Sequence, residues 1–247
     1  MDRIDVRVLN PYTLGEITKT MVCAARLTQK GHKIKDMRDF MDLYNKPHRP
    51  ATAEAMAALP HPTIQKFGVI NIAIVGASRR FLAQITRHQD CKFMSASLQY
   101  SDYGDDADFV VPYNLLGTLE KEIYLDSCRK SMAAYKILTR CGTDHDEAGY
   151  AAPQGLRNVL IISATPFQWK HMISQRICRR NTLETRYVML RCWEALYDLS
   201  PELFADAGPF CMNGNCAEGK MTCGDPMARG MTPAEIIEAD FPKLVKE

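Results

Sequence analysis

The alternation of polar and apolar side chains along residues 2–9, with β-branched members among the apolar ones, predicts a half-buried strand. Thr13 and Glu16 then stand at capping-box spacing, and a helix is predicted through residues 18–29, with Gly31 as its stop. A second helical stretch covers 34–45 and ends before the turn-forming Lys46-Pro47-His48-Arg49-Pro50. Residues 67–75 form an apolar, β-rich run, as a buried strand would, which Gly76 is expected to break. Ser78 is a good N-cap for a helix over 79–89. Residues 92–103 read as extended, and a loop with Gly104 and Pro112 follows. A long amphipathic helix is predicted over 115–141, with Leu116, Leu119, Ile123, Met132 and Ile137 among its apolar positions. Residues 158–165 make another candidate strand, and two Arg-rich helices are expected around 166–177 and 182–197. The tail from about 207 is weakly patterned until Thr232-Pro233-Ala234-Glu235, a capping box with proline at the first helical position. Helices and strands without a βαβ rhythm predict an α+β fold, read as one domain over 1–247.

Composition narrows the class. With 46% hydrophobic and 24% charged residues, the 247-residue chain is that of an ordinary globular protein. A net charge of +2 gives no wholesale attraction to nucleic acid or anionic membrane, so any anion site must be a local cluster of Lys and Arg. The N-terminus has no secretory h-region, and the longest apolar stretch is too short to span a bilayer. The nine cysteines then read as thiols of a reducing cytoplasm. Cys211, Cys216 and Cys223 raise the possibility of zinc, but they lack a CxxC pair and a nearby histidine, so a glycine-rich loop is expected and no metal. Cys91 lies near His88 and Lys92, an environment that can activate a thiol, although most such cysteines are inert.

Two segments carry candidate chemistry. In the first, Arg87 and His88 end a helix and lead into an extended stretch whose alternation puts Ser95, Ser97 and Gln99 on one face. Such a row can hold a phosphate or a pyrimidine edge, or it can be an ordinary polar strand face. In the second, His171, Gln175 and Arg179 share a helix face at spacing four, and Arg176 and Arg180 share another. Clustered arginines there suit a pyrophosphate or a polarised carbonyl, or a solvated basic surface.

Taken together, the two segments resemble the signature regions of the flavin-dependent thymidylate synthases, over roughly residues 61–190. Arg87-His88-Gln89, seven residues and then Ser97 are similar to that family's Arg-His-Arg triplet and its spaced serine. His61-Pro62-Thr63, Ser78-Arg79, Gln84, Pro153, His171, Arg176 and Glu184-Thr185-Arg186 fall in the matching order. The resemblance implies a central twisted, mostly antiparallel sheet flanked by helices. It also implies FAD as cofactor, NADPH as reductant, methylenetetrahydrofolate as carbon donor and a uracil nucleotide, normally dUMP, as substrate. Thr63, Arg87, His88, Gln89, Ser95, Thr165 and His171 would hold FAD. Gln84, Arg87, Ser97, Gln99 and Arg176 would hold the nucleotide, with Arg176 as the catalytic group. Four subunits assemble in this family, with each active site built from several chains.

The departures are specific. Gln89 replaces the last arginine of the triplet, Ser95 stands where the family often has Glu, and Thr165 where it has Asn. Gln99 and Gly149 occupy two phosphate-contacting arginine positions, which leaves Lys92, Arg157 and Arg179 as candidate replacements. A lost charge-assisted contact matters by about 1.5–3 kcal/mol. Two alternatives therefore stand beside dUMP methylation: C5 methylation or hydroxymethylation of UMP or another uracil nucleotide, and a non-catalytic nucleotide- or RNA-binding protein on the same scaffold.

Overall fold

Four strands, β1 (Asp5–Val8), β2 (Ile70–Ser78), β3 (Lys92–Ser95) and β4 (Arg157–Ala164), form one sheet in the order β1-β2-β4-β3 with every pair antiparallel. The computed structural model describes residues 1, 3–104, 107–214, 216 and 218–245. The N-terminal half carries α1 (Leu14–Lys30), α2 (Met37–Asn45), α3 (Pro50–Ala57) and α4 (Arg79–Ile85). Between β3 and β4 lie α5 (Glu120–Arg140) and the single turn α6 (His145–Ala148). After β4 come α7 (Pro166–Arg176), α8 (Leu183–Leu199), the short α9 (Pro201–Phe204) and α10 (Phe210–Asn213), then α11 (Pro233–Asp240) and α12 (Pro242–Val245). The fold is α+β, as the pattern of elements predicts.

The two long strands alternate as their sequences require. Ile70, Ile72 and Ile74 of β2 and Leu160, Ile162 and Ala164 of β4 are buried in the main core, because successive side chains point to opposite faces of a sheet. That core is completed by α1, α7 and α8. Almost every apolar residue of α8 from Tyr187 to Leu196 is buried, so this helix is central rather than half-exposed. The indole N–H of Trp169 donates to Ile70 O (3.0 Å) and that of Trp193 to Phe204 O (3.1 Å), so neither buried ring leaves its donor unpaired. Met212, Met227, Ile236, Ile237 and Phe241 of the C-terminal region join the same core, so the weak sequence pattern there hides real burial.

Several expectations are corrected. Gly76 does not end β2: the strand continues to Ser78 through a bulge between Val75 and Ala77. Glycine is required there, because φ is +85° and a Cβ would lie 2.4 Å from the Arg3 carbonyl oxygen. Thr13 makes no capping box, since its hydroxyl donates to Asn10 O (2.8 Å) and the Glu16 carboxylate accepts from Tyr44 OH (2.9 Å). Gly31 does stop α1 as its C-cap, but with a right-handed φ of −55° that leads into a 3₁₀ turn. The helix from Pro50 was hidden behind two prolines that read as a turn. On α5 the apolar positions divide: Met132 is buried as expected, with Cys128 and Tyr135, whereas Ile123 and Ile137, and Leu119 at the N-cap, face solvent. The expected box at Thr232–Glu235 is complete in both directions.

Candidate active site

α4 begins where Ser78 Oγ accepts from Phe81 N (3.1 Å) and ends at Ile85, four residues short of the predicted stop. Arg87, His88 and Gln89 therefore lie on the connection to β3. α7 begins at a capping box, in which Thr165 Oγ1 accepts from Gln168 N (3.4 Å), and it ends at Arg176. These two ends meet, both helices packing into the same main core. Arg87, His88, Gln89, His171, Gln175 and Arg176 line one cavity of about 390 Å³.

The polar wiring of that cavity is directional. Arg176 Nε donates to His88 Nε2 (2.8 Å) and Arg176 Nη2 donates to the Gln84 carbonyl oxygen (2.9 Å). Because His88 Nε2 accepts, its remaining proton sits on Nδ1. His88 is 8% exposed, and burial together with the charges of Arg176 and His171 lowers its pKa to about 4. It is therefore neutral at pH 7. His171 meets it edge-on, with ring centroids 5.9 Å apart. Burial and the nearby Arg87 charge lower the Arg176 pKa, though a guanidinium remains cationic in proteins. Asp90 lines the same cavity, but neither Arg87 nor Arg176 is ion-paired among the described residues, so the two close arginines form a candidate anion site. Arg176 Nη1 carries no hydrogen bond among the described residues, which leaves its N–H groups without a protein acceptor.

A larger cavity, of about 690 Å³, shares Gln175 and Arg176 with this one and is lined by Cys178, Cys211, Cys216 and Cys223. Its arginine Arg179 is already ion-paired, to Asp225 and Asp240. Among the described residues no three His, Cys, Asp or Glu side chains are placed to hold a metal. Another arginine of the larger cavity, Arg180, is exposed and makes no ion pair among the described residues, whereas the smaller cavity brings Arg87 and Arg176 together beside two imidazoles, so the chemistry is assigned there.

The remaining sequence candidates lie elsewhere. Thr63 is exposed on a 3₁₀ turn, Pro62–Lys66. The Thr165 hydroxyl is occupied by its cap with Gln168. Ser95 ends β3, after which the alternation stops: Ser97 Oγ accepts from Gln99 N (3.1 Å), and Gln99 is exposed in a turn. A Cβ on Gly149 would lie 3.3 Å from Leu98, so the two departed arginine positions flank each other, away from the cavity. Arg179 lies beyond the end of α7 and shares no helix face with His171. Nor can it stand in as a phosphate ligand, being ion-paired. Arg157 is likewise committed, to Asp108 (3.0 Å) and Gly76 O (2.8 Å). The Cys91 thiol is pushed up to about 11 by burial and Asp90, the opposite of activation. Sequence reasoning missed Arg79 as a charge: its Nη1 is buried and has no hydrogen-bond partner among the described residues. Its place in the Ser-Arg pair was the only signal.

Comparison with known proteins gives the family. The model of the thymidylate synthase complementing protein family, Thy1, matches residues 11–202. The chain belongs to this family. Curated relatives named flavin-dependent thymidylate synthase include one from Geobacter sulfurreducens, 27% identical over 203 residues, covering 81% of this chain and 86% of the relative. Another, from Thermococcus onnurineus, is 26% identical over 173 residues, 65% of this chain and 69% of its own. A solved structure of thymidylate synthase X from Helicobacter pylori with FAD and dUMP superposes with a TM-score of 0.60 at 16% identity. It covers 82% of this chain and 98% of that one, which establishes the shared fold. The Thy1 match spans β2, β3, β4 and the whole candidate site, so the chain is an enzyme of the flavin-dependent thymidylate synthase family. No helix among the described residues is long and apolar enough to cross a membrane.

Proposed function

We propose that this protein methylates dUMP at uracil C5 to give dTMP, using FAD, methylenetetrahydrofolate as carbon donor and NADPH as reductant, in the cytoplasm. The observation that carries the reading is the Arg87–Arg176 pair beside neutral His88 in one cavity. The residues fit a flavin and a pyrimidine nucleotide: unneutralised cations for phosphate or a ring carbonyl, two imidazoles for a planar ring, and room for part of a dinucleotide. In the proposed reaction the bound flavin supplies the hydride that completes the methyl group.

Arg176 does the electrostatic work. Uracil C5 is a weak nucleophile, and a guanidinium against the N3–O4 edge stabilises the negative charge that builds as C5 attacks. Its Nε is held by His88 and its Nη2 by Gln84 O, so the unpaired Nη1 end is aimed without freezing a long side chain at the moment of reaction. His88 acts best uncharged, since an imidazolium could not accept from Arg176. Arg87, Gln89 and His171 line the flavin side of the same cavity.

Thr63, Ser95, Ser97, Gln99 and Thr165 are proposed to complete the site from neighbouring subunits of a homotetramer. Self-association is supported by the outer face of the sheet, where Val75, Met94, Val159 and Ile161 all stand exposed together. Ile123 and Ile137 of α5, with Leu119 at its N-cap, add a second uncovered apolar face. Such patches on a soluble chain mark interfaces.

The alternative, UMP or another uracil nucleotide as substrate, is motivated by Gln99 and Gly149. The deciding experiment is absorption spectroscopy of purified protein, titration of its flavin band with dUMP and UMP, and tritium release from each C5-labelled nucleotide. Release from dUMP alone supports the proposal. Colourless protein that takes up no added FAD defeats it.

A further inference from the structure

The N-terminus of α8 breaks a local rule. Thr182 occupies the N-cap, yet its hydroxyl makes no bond to the helix backbone. Instead it donates to Thr185 Oγ1 (2.9 Å), and a second contact reaches Gln84 Oε1 (3.3 Å). Thr185, fully buried, donates in turn to Gln84 Oε1 (2.6 Å). Ser and Thr at this position ordinarily cap. A cap diverted into a buried side-chain chain across 101 residues of sequence is the kind of inconsistency found at functional sites.

The geometry identifies which amide atom Thr185 holds. A separation of 2.6 Å suits an O–H···O bond and is short for N–H···O. Thr185 already accepts from Thr182, so its own proton goes to Gln84. The Gln84 oxygen is thus tied to α8, and the NH₂ group must point elsewhere. The same residue's backbone oxygen accepts from Arg176 Nη2 (2.9 Å), which puts Gln84 in contact with the proposed catalytic guanidinium at the edge of the cavity that Arg176 lines.

We propose that Thr185 is a positioning residue: it turns the Gln84 amide so that NH₂, not oxygen, is presented to the nucleotide. Gln84 then recognises a hydrogen-bond acceptor, a phosphate or carbonyl oxygen, and rejects a group that can only donate. This deepens the reading under Proposed function and rests on it. It also gives one neutral donor to a nucleotide site that has two fewer arginines than the family resemblance implies.

The test is a flavin-band titration with dUMP and with deoxyuridine, on the wild-type holoenzyme and three variants. Thr185→Val should weaken dUMP binding about 3–10-fold, the worth of one net hydrogen bond, while FAD stoichiometry stays at the wild-type level and KM rises more than kcat falls. Thr185→Ser, which keeps the hydroxyl, should restore binding to within about twofold. Gln84→Glu keeps an oxygen for Thr185 but has no N–H, so it should weaken dUMP at least as much, and it serves if the valine variant does not fold. Equal loss with deoxyuridine assigns the acceptor to the base, whereas loss confined to dUMP assigns it to the phosphate; either supports the proposal. Wild-type affinity in Thr185→Val, even with a lowered Tm, overturns it, as does wild-type affinity in Gln84→Glu. Failure of wild-type protein to respond to dUMP at all overturns the functional reading first, and this proposal with it.

Discussion

Asp240→Asn tests how the C-terminal region supports the active site. Asp240, at the end of α11, accepts from the guanidinium of Arg186 and from Arg179 Nη2 (3.3 Å). The Arg186 side chain is only 5% exposed, and its Nε donates to the carbonyl of Ile177, the residue after Arg176. Neutralising Asp240 therefore leaves a buried charge short of its partner beside the helix end that presents the proposed catalytic arginine. Breaking one side of a buried ion pair costs about 3–5 kcal/mol. Arg179 keeps Asp225 and Arg186 keeps Ile177 O, so the lower end of about 3 kcal/mol is expected. For a chain of this length each kcal/mol lowers Tm by about 2–4 °C, giving a fall of about 6–12 °C. The control is Asp126→Asn, which removes the exposed i,i+4 pair with Lys130 (2.7 Å) and should cost under about 0.5 kcal/mol. Both are read by thermal melts followed by circular dichroism at one protein concentration, because association shifts Tm by mass action. If Asp240→Asn melts within about 2 °C of wild type, the argument that this pair is buried and structural is wrong.

Four further outcomes follow from the same geometry. Arg176→Ala should keep its flavin and lose turnover by about 100–1000-fold, as loss of one electrostatic stabiliser does; unimpaired tritium release would remove Arg176 from the reaction. His88 is held neutral, with a folded pKa of about 4 against an ordinary 6.5. The unfolded chain thus binds the extra proton first, so this contribution is complete above pH 6.5 and disappears as pH falls towards 4, to a maximum of about 3 kcal/mol. His88→Asn should flatten the acid limb of a stability–pH curve, and an unchanged limb would refute the assignment. Cys91, with its thiol raised to about 11, should be alkylated by iodoacetamide at pH 8 more slowly than exposed Cys141 and Cys223, as peptide mass spectrometry can show. Gly76→Ala should lower stability by at least about 2 kcal/mol in denaturant titration, since it combines positive φ with a backbone clash.

The sequence by itself determined the elements whose cause is local. Alternation placed β2 and β4, Ser78 and Thr232 capped the helices they precede, and the spacing from Arg87 to Ser97 carried the resemblance to the family. Fine placement failed where distant atoms decide. Gly76 looks like a breaker until the Arg3 carbonyl comes to lie above it and turns it into a bulge. Leu119, Ile123 and Ile137 look like a core stripe, because hydrophobicity marks burial without saying whether the covering surface is the same chain.

The tertiary structure alone decided the state of each charge. Arg157, Arg179 and Arg176 are the same side chain on paper. Asp108 occupies the first and Asp225 with Asp240 the second, whereas the third meets a neutral imidazole and another arginine. Which cation keeps its charge for a ligand depends on desolvation and on carboxylates within a few ångströms, and those neighbours arrive from tens of residues away only when the chain closes on itself.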